Sequence, residues 1–99
     1  MTPAMTSRND QHVIEEFGAR LRTLRDKKDI SQERLAELAG VHWTSIGQIE
    51  RGERGVKLVT LLRLAHGLGV DPSVLVKGME PPDDPAVKTR PVKRARPGP

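Results

Sequence analysis

Three residues between two short helical segments constrain the fold of this chain more than any other feature of its sequence. "SQERLAELA", residues 31–39, begins with a good capping residue and carries an apolar face. "WTSIGQIER", residues 43–51, has isoleucines spaced for one side of a helix. Only "GVH", residues 40–42, lies between them. A connection this short makes the two helices cross at a steep angle.

Individual positions within this pair carry further restrictions. Counting from Gln32 as the first place, Ala36 is fifth, where only a small side chain lets the helices approach. Gly40 is ninth, where the turn needs a residue that tolerates positive φ. Ile46 and Ile49 are fifteenth and eighteenth, at positions that enter the core. The spacing therefore predicts a helix-turn-helix.

Three more helices complete the expected domain. Asp10 is a suitable N-cap, and the apolar residues that follow it are spaced three and four apart. Helical spacing resumes at Leu58, and Asp71 precedes a proline at the start of a last short helix. We therefore expect an all-α, five-helix bundle over residues 10–79, preceded by a flexible arm at residues 1–9.

The C-terminal segment, residues 80–99, differs from the domain in composition. It is rich in proline, and five of the chain's 17 Lys and Arg lie between residues 88 and 96. We expect this segment to be disordered, because it lacks the apolar residues needed for a core. A basic tail attracts the phosphates of nucleic acid in some proteins and is only a solvated segment in others. The sequence leaves both roles open.

The residues that the chain lacks exclude several classes of function. Without cysteine there is no disulfide, thiolate nucleophile or Cys-ligated zinc. His12, His42 and His66 do not have the spacing that would bring two imidazoles to one metal on a helix. No apolar run approaches the roughly 20 residues of a membrane span, and no signal peptide is visible. We expect a cytoplasmic protein with no metal, cofactor, small-molecule ligand or enzymatic activity.

The second helix of the pair divides into two faces. At 100° per residue, its two isoleucines point inward. The outward face consists of Trp43, Thr44, Gly47, Gln48 and Arg51. This short helix with a display face is the expected binding element.

These motifs resemble the phage-repressor-like, or XRE, family of helix-turn-helix proteins. The likeness covers about residues 12–77, and "SQ..LA...G" and "I..IERG.R" are its most specific pieces. "GVH" before the second helix and "GER" after it are most similar to the small controller proteins of restriction-modification systems. The resemblance implies a repressor-like five-helix bundle that binds double-stranded DNA operators as a homodimer, with the second helix of the pair as the recognition helix.

The resemblance also assigns roles to individual residues. Contacts with base edges are implied for five residues of the recognition helix: Trp43, Thr44, Ser45, Gly47 and Gln48. Phosphate contacts are implied for one glutamine and three basic residues: Gln32, Arg51, Arg54 and Lys57. Arg25 and Glu50 match the positions that form a buried salt bridge in several members of the family.

Trp43 departs from the family pattern, in which Arg, Gln or Ser is more usual. An indole has one donor and a large apolar ring, so it can pack on a thymine methyl group or on sugars. It cannot form the bidentate pair that arginine makes with guanine. The alternative is that Trp43 folds back over Val41 or His42 as partly buried packing.

The last two helices carry more apolar residues than a small bundle needs. In the family this end commonly forms the two-fold dimer contact, which would set two recognition helices about 34 Å apart. The expected interface residues are Leu68, Val70, Val74 and Val76. The alternative is that such residues complete the core, which suits Val70 and Leu75.

The sequence thus predicts a homodimeric, sequence-specific DNA-binding regulator of transcription that controls its own gene. One alternative is an antitoxin whose tail folds on a toxin and whose domain represses its own operon, although the tail offers few apolar anchors for a toxin. Another is a protein-interaction adaptor that has kept the fold. An adaptor would need an acidic or apolar recognition face, whereas Arg51 and Arg54 lie there with Glu53 as the one outward acid.

Overall fold

The computed structural model describes residues 9–82, which form five α-helices. The helices are α1 (Asp10–Lys27), α2 (Gln32–Ala39), α3 (Trp43–Glu50), α4 (Leu58–Leu68) and α5 (Pro72–Val76). The expected all-α, five-helix architecture is confirmed. Nearly all of the expected arm, residues 1–9, and of the expected tail, residues 80–99, lies outside the described residues.

Local signals place the ends of the helix pair where the sequence predicts them. The side chain of Ser31 accepts a backbone N–H at 2.9 Å and caps α2, which ends at Gly40 with φ of 72°. His42 occupies the N-cap of α3. Asp71 caps α5 in the same way as Ser31 caps α2, by accepting a backbone N–H at 2.8 Å. Each of these caps satisfies an amide that the helix itself leaves without a partner.

Two helix starts differ from the simplest expectation. Asn9, and not Asp10, caps α1: its side chain accepts from the His12 amide at 2.9 Å, and the His12 imidazole accepts from the Asn9 amide at 3.3 Å. This reciprocal pair satisfies two donors, which a cap at the next residue would not do. At the start of α4, Lys57 makes no side-chain cap.

The core lies between all five helices. α2 packs on α3 and α4, α1 packs on α3 and α5, and α4 packs on α5. The largest fully buried side chains come from every helix: Leu21, Leu35, Ile46, Ile49, Leu64 and Leu75. Even the short α5 is therefore anchored by one fully buried leucine, Leu75.

Two glycines let helix backbones approach closely. A Cβ atom at Gly18 of α1 would overlap the carbonyl oxygen of Ile49 in α3. A Cβ atom at Gly67 of α4 would lie 2.9 Å from the backbone nitrogen of Ala39 in α2. Because side chains do not separate these pairs, the position of α3 against α1 and of α4 against α2 is set by backbone contact.

The burial of Leu68 differs from its expected place in a dimer interface. Leu68 is 3% exposed and belongs to the core, because it continues the buried stripe of Leu64 one turn further along α4. Val70 also packs against the core. Val74 and Val76 are 37% and 40% exposed, so they alone of the expected interface residues present a substantial surface.

Neither a metal cluster nor a membrane-spanning helix is found in residues 9–82. No group of three His, Asp or Glu in this range is placed to hold an ion. No helix of the described part is long and apolar enough to cross a bilayer. His12 and His42 instead take part in helix caps.

Candidate nucleic-acid interface

The outer face of α3 is accessible at four of the five positions expected to contact bases. Trp43 is 52% exposed. Thr44 is exposed as well, and Ser45 and Gln48 are half-buried. The opposite face of the same helix is formed by two isoleucines that are 0% and 1% exposed. The helix therefore has a firmly seated inner side and a displayed outer side.

Gly47, the fifth of these positions, is buried and is not displayed. A Cβ atom at Gly47 would lie 3.0 Å from Nη1 of Arg51 and 3.6 Å from Oε1 of Gln32. Helical periodicity points this position outward, but the two long side chains cover it because glycine has none of its own. Gly47 thus provides room for Arg51 and Gln32.

The first turn of α3 is organised around His42. Its Nδ1 atom lies 2.9 Å from the hydroxyl oxygen of Thr44 and 3.5 Å from the Thr44 amide nitrogen. The Thr44 hydroxyl therefore already has a hydrogen-bond partner within the protein. This fixes the orientation of the Thr44 side chain at the tip of the helix.

Trp43 borders a shallow groove of about 390 Å³ between α2 and the start of α3. The groove is lined by Glu33, Ala36, Glu37, Val41, His42 and Trp43. The indole therefore lies on the same groove as Val41 and His42, near the position that the packing alternative gives it. It still presents about half of its surface to solvent, as contact with DNA requires.

A buried ion pair links the inner side of α3 to α1. Arg25 of α1 donates from Nε to Glu50 Oε2 at 2.7 Å and from Nη2 to Glu50 Oε1 at 3.0 Å. The side chains of Arg25 and Glu50 are 11% and 3% exposed. The hydrogen bond to Glu50 raises the pKa of Arg25 above its ordinary value. This two-point contact fixes both the distance and the rotation of α3 relative to α1.

Two further hydrogen bonds extend this pair into a network. Gln32, at the start of α2, donates from Nε2 to Glu50 Oε1 at 3.0 Å. Nη1 of Arg25 donates to the carbonyl oxygen of Ile30, between α1 and α2, at 2.8 Å. The resemblance implies two roles for Gln32, a phosphate contact and a brace on the recognition helix; this hydrogen bond is the brace, and the phosphate contact stays a prediction. All three helices that build the helix-turn-helix and its support are joined at Glu50.

The basic residues beside α3 make contacts of their own. Arg51 pairs with Glu53, with Nε to Oε2 at 2.6 Å and Nη2 to Oε1 at 3.2 Å. Hydrogen bonding in this exposed pair raises the pKa of Arg51 and lowers the pKa of Glu53. Arg54 donates to the side-chain oxygen of Gln48 at 3.2 Å, and Lys57 is exposed. All three cations are exposed; Arg51 and Arg54 lie at the C-terminal end of α3, and Lys57 stands at the start of α4.

The loop after α3 is tied to the first helix by a residue that the sequence does not single out. Gln11 donates from Nε2 to the carbonyl oxygen of Gly52 at 2.8 Å, across 41 positions of the chain. Gly52 has φ of 74° and packs against Glu15, whose Cγ would lie 2.7 Å from a Cβ at this glycine. No local pattern connects residues so far apart, and only the "GER" motif hints that this loop has a defined shape.

Further exposed apolar side chains lie on the last two helices, and together they are called the α4–α5 face. Its members are Leu58, Val59, Leu62, Val74 and Val76. Leu58 is 72% exposed and Val59 is 61% exposed, which makes the start of α4 the most exposed part of this surface. The sequence shows a wide apolar face in this helix but does not separate the outward residues from the inward ones.

Comparisons with known proteins agree with this architecture. Residues 16–76 match the model of a helix-turn-helix domain family. The control protein C.SmaI of Serratia marcescens is 42% identical over 66 residues, which cover 66% of this chain and 79% of that protein. The control protein C.BamHI of Bacillus amyloliquefaciens is 41% identical over 61 residues, covering 61% of this chain and 75% of that protein.

Solved structures show the same likeness. The restriction-modification controller protein C.AhdI from Aeromonas hydrophila has a TM-score of 0.61 at 47% identity, over 63% of this chain and 94% of its own. The region that matches the family model, residues 16–76, contains all five helices except the first turns of α1. The chain therefore belongs to the helix-turn-helix domain family, and it is a DNA-binding transcriptional regulator.

Proposed function

We propose that this chain is a homodimeric, sequence-specific operator-binding protein of the cytoplasm that controls transcription of its own gene and has no enzymatic activity. The outer face of α3 is the observation that carries this proposal. It displays neutral side chains, and Arg51 and Arg54 are exposed at its C-terminal end. Neutral groups suit the edges of bases in the major groove, and cations beside them suit the phosphates of the backbone.

The firm seating of α3 supports sequence-specific binding in particular. Base readout needs side chains held within a fraction of an ångström of their targets. The ion pair of Arg25 with Glu50, together with Gln32, gives α3 such a fixed orientation. A helix that only attracted phosphates would not require it, because that attraction tolerates many orientations.

The α4–α5 face supports the homodimer. Exposed apolar side chains that cluster on one face usually mark a contact with another protein. α4 and α5 pack against each other, so their exposed residues can share one contact. A two-fold axis through this face would use the same patch on both protomers and would place the recognition helices about one DNA turn, or 34 Å, apart.

Control of its own gene is the most specific part of the proposal. Both relatives named above are control proteins, and the solved structure named above is that of a restriction-modification controller protein. We extend the role of a transcriptional controller to this chain and propose the DNA upstream of its own gene as the operator. The basic tail would add phosphate contacts without adding specificity.

A DNA titration tests the proposal. The full chain is added at physiological salt to the DNA upstream of its gene and to scrambled DNA of the same length, and the fluorescence of Trp43 is followed. We expect a tight transition on the upstream DNA alone, with two protomers per site by sedimentation. Equal weak binding to both DNAs would exclude an autoregulator and favour an adaptor with a protein partner.

Two variants separate readout from phosphate attraction. Gln48→Ala should weaken binding to the operator about tenfold and leave binding to scrambled DNA unchanged, because a lost base contact affects only the correct site. Arg51→Ala should weaken both and reduce the slope of log affinity against log salt by about one for each protomer. Equal losses from Gln48→Ala on both DNAs would remove Gln48 from the readout set.

A further inference from the structure

The tip of the recognition helix offers more apolar surface than hydrogen-bonding capacity. Trp43 is 52% exposed at the first position of α3. The hydroxyl of its neighbour Thr44 is already paired with His42 at 2.9 Å. Ser45 is half-buried. The first turn of α3 therefore presents an indole ring at position 43. A polar or basic side chain at this position would present several hydrogen-bond donors instead.

Charge at the same place restricts what this indole can meet. Glu33 and Glu37 line the groove that Trp43 borders. Glu37 is paired with Arg34 at 3.0 Å, whereas no pair to Glu33 is found within residues 9–82. A phosphate brought into the groove would face the carboxylate of Glu33 and be repelled. The neutral edge of a base fits this environment better than the sugar-phosphate backbone.

One group on the base edges of the major groove is apolar. This is the C5-methyl group of thymine, and 5-methylcytosine carries the same group at the same position. We propose that Trp43 recognises a C5-methylated pyrimidine, thymine or 5-methylcytosine, in each half of the operator. The inference rests on the proposed function and adds to it the chemical group that the first turn of α3 reads.

Removal or addition of C5-methyl groups in the DNA tests the inference directly. The full chain is titrated with the operator, with the same operator carrying deoxyuridine in place of every thymidine, and with scrambled DNA. Deoxyuridine lacks only the methyl group and keeps every hydrogen-bonding atom of thymine. Loss of one buried methyl contact should weaken binding about fourfold, and loss of one in each half-site about 15-fold. A further arm with 5-methyldeoxycytidine in place of deoxycytidine should tighten binding instead if the contacted pyrimidine is a cytosine.

Protein variants assign the effect to Trp43. Trp43→Ser should bind the operator more weakly and should no longer distinguish methylated from unmethylated pyrimidines. Leu38→Ser is the matched control, because Leu38 is also an exposed apolar residue, 38% exposed, and does not line the groove. This control should keep the full preference of the parent. Trp43→Phe, which retains an aromatic ring, should keep part of it.

The outcomes separate this inference from the proposed function. If the parent prefers the operator to scrambled DNA but binds the deoxyuridine and 5-methyldeoxycytidine DNAs like the unmodified operator, methyl recognition is wrong and operator binding stands. The same conclusion follows if Trp43→Ser keeps the parent's preference, since another residue would then sense the methyl group. If the parent does not prefer the operator at all, the proposed function itself is wrong and this inference with it.

Discussion

Two regions of the molecule differ in their exposed side chains and in the side chains packed beneath them. One is the helix-turn-helix with its supporting helix α1, and the other is the α4–α5 face. α3 displays an indole and polar groups with basic residues just after it, and beneath it lies a buried ion pair with hydrogen bonds to three segments. α4 and α5 carry exposed aliphatic side chains, and apolar side chains lie beneath them, among them Phe17, Leu64 and Leu75. This difference in chemistry matches the tasks proposed for the two surfaces, DNA readout by α3 and dimer contact by the α4–α5 face.

Directional contacts suit the first region, and apolar area suits the second. A bidentate ion pair has one favourable geometry, so it fixes the rotation of α3 about its own axis. Burial of apolar surface depends on area and little on direction, so it favours association without defining each contact. We therefore expect the proposed specificity and the proposed dimerisation to depend on different forces, and four changes would test that division.

The largest effect is expected from Glu50→Gln, which removes the charge under α3. Arg25 would remain buried with only the longer contact to the exposed Asp26 at 3.6 Å, and the free energy of unfolding should fall by about 3 kcal/mol. Thermal melting should drop by roughly 15 °C for a domain of this size. Glu53→Gln is the control, because it makes the same change in an exposed pair and should melt close to the parent. A Glu50→Gln protein that melts within about one degree of the parent would show that the pair adds nothing.

Replacing both exposed leucines of α4, Leu58→Lys with Leu62→Lys, should break the second region alone. Charged residues at a two-fold contact face their own copies and repel them, so the protein should sediment as a monomer. Operator affinity should fall about 100-fold, since two half-sites would no longer be bound together. Melting of the monomer should change little because both leucines are exposed. A variant that remains a dimer would place the interface elsewhere; Leu38→Lys serves as the control.

Gly18→Ala tests whether α3 is seated by backbone contact as well as by the ion pair. The added methyl group would overlap the carbonyl oxygen of Ile49, so α3 must shift. We expect a loss of about 2 kcal/mol in unfolding free energy, together with weaker operator binding. Gly55→Ala is matched to it, because the nearest atom there is a side-chain carbon of Ile14 at 3.4 Å. Equal stability of the two variants would contradict close packing at Gly18.

The smallest effect concerns acid stability in the second region. Hydrogen bonds from Ser73, through its side chain and its backbone, lower the pKa of Asp71. A carboxylate whose pKa is lower in the folded state stabilises the fold above its unfolded pKa of about 3.9, and this is lost as pH falls through the folded pKa. Asp71→Asn keeps a cap but cannot titrate, so its unfolding free energy should fall less steeply than the parent's in acid. Parallel urea-unfolding curves from about pH 6 to pH 3 would rule this contribution out.

Features that depend on a few neighbouring residues could be predicted from the sequence. Ser31, His42 and Asp71 cap helices through amides within three positions, and Gly40 ends α2 through its own φ angle. The order and type of all five helices follow from such signals together with apolar spacing. Asn9 was harder to identify because two good capping residues stand side by side there.

Features that depend on how helices meet could not be predicted in this way. Leu58 and Leu68 both belong to the apolar pattern of α4, but Leu58 is 72% exposed and Leu68 is 3% exposed, which depends on where the other helices pack on α4. Gly47 is buried because the long side chain of Arg51 lies over it. Helical periodicity predicts the direction of each residue but not the path of such a long side chain.

The hydrogen bond from Gln11 to Gly52 has an evolutionary consequence. It fastens the loop that follows α3 to the first helix. In the proposed homodimer, we expect mutations on the α4–α5 face to change the distance between half-sites while each recognition helix keeps its seat on α1. Substitutions on the outer face of α3 would change the bases that are read, so a gene duplicate could acquire a new operator sequence and a new operator spacing in separate steps.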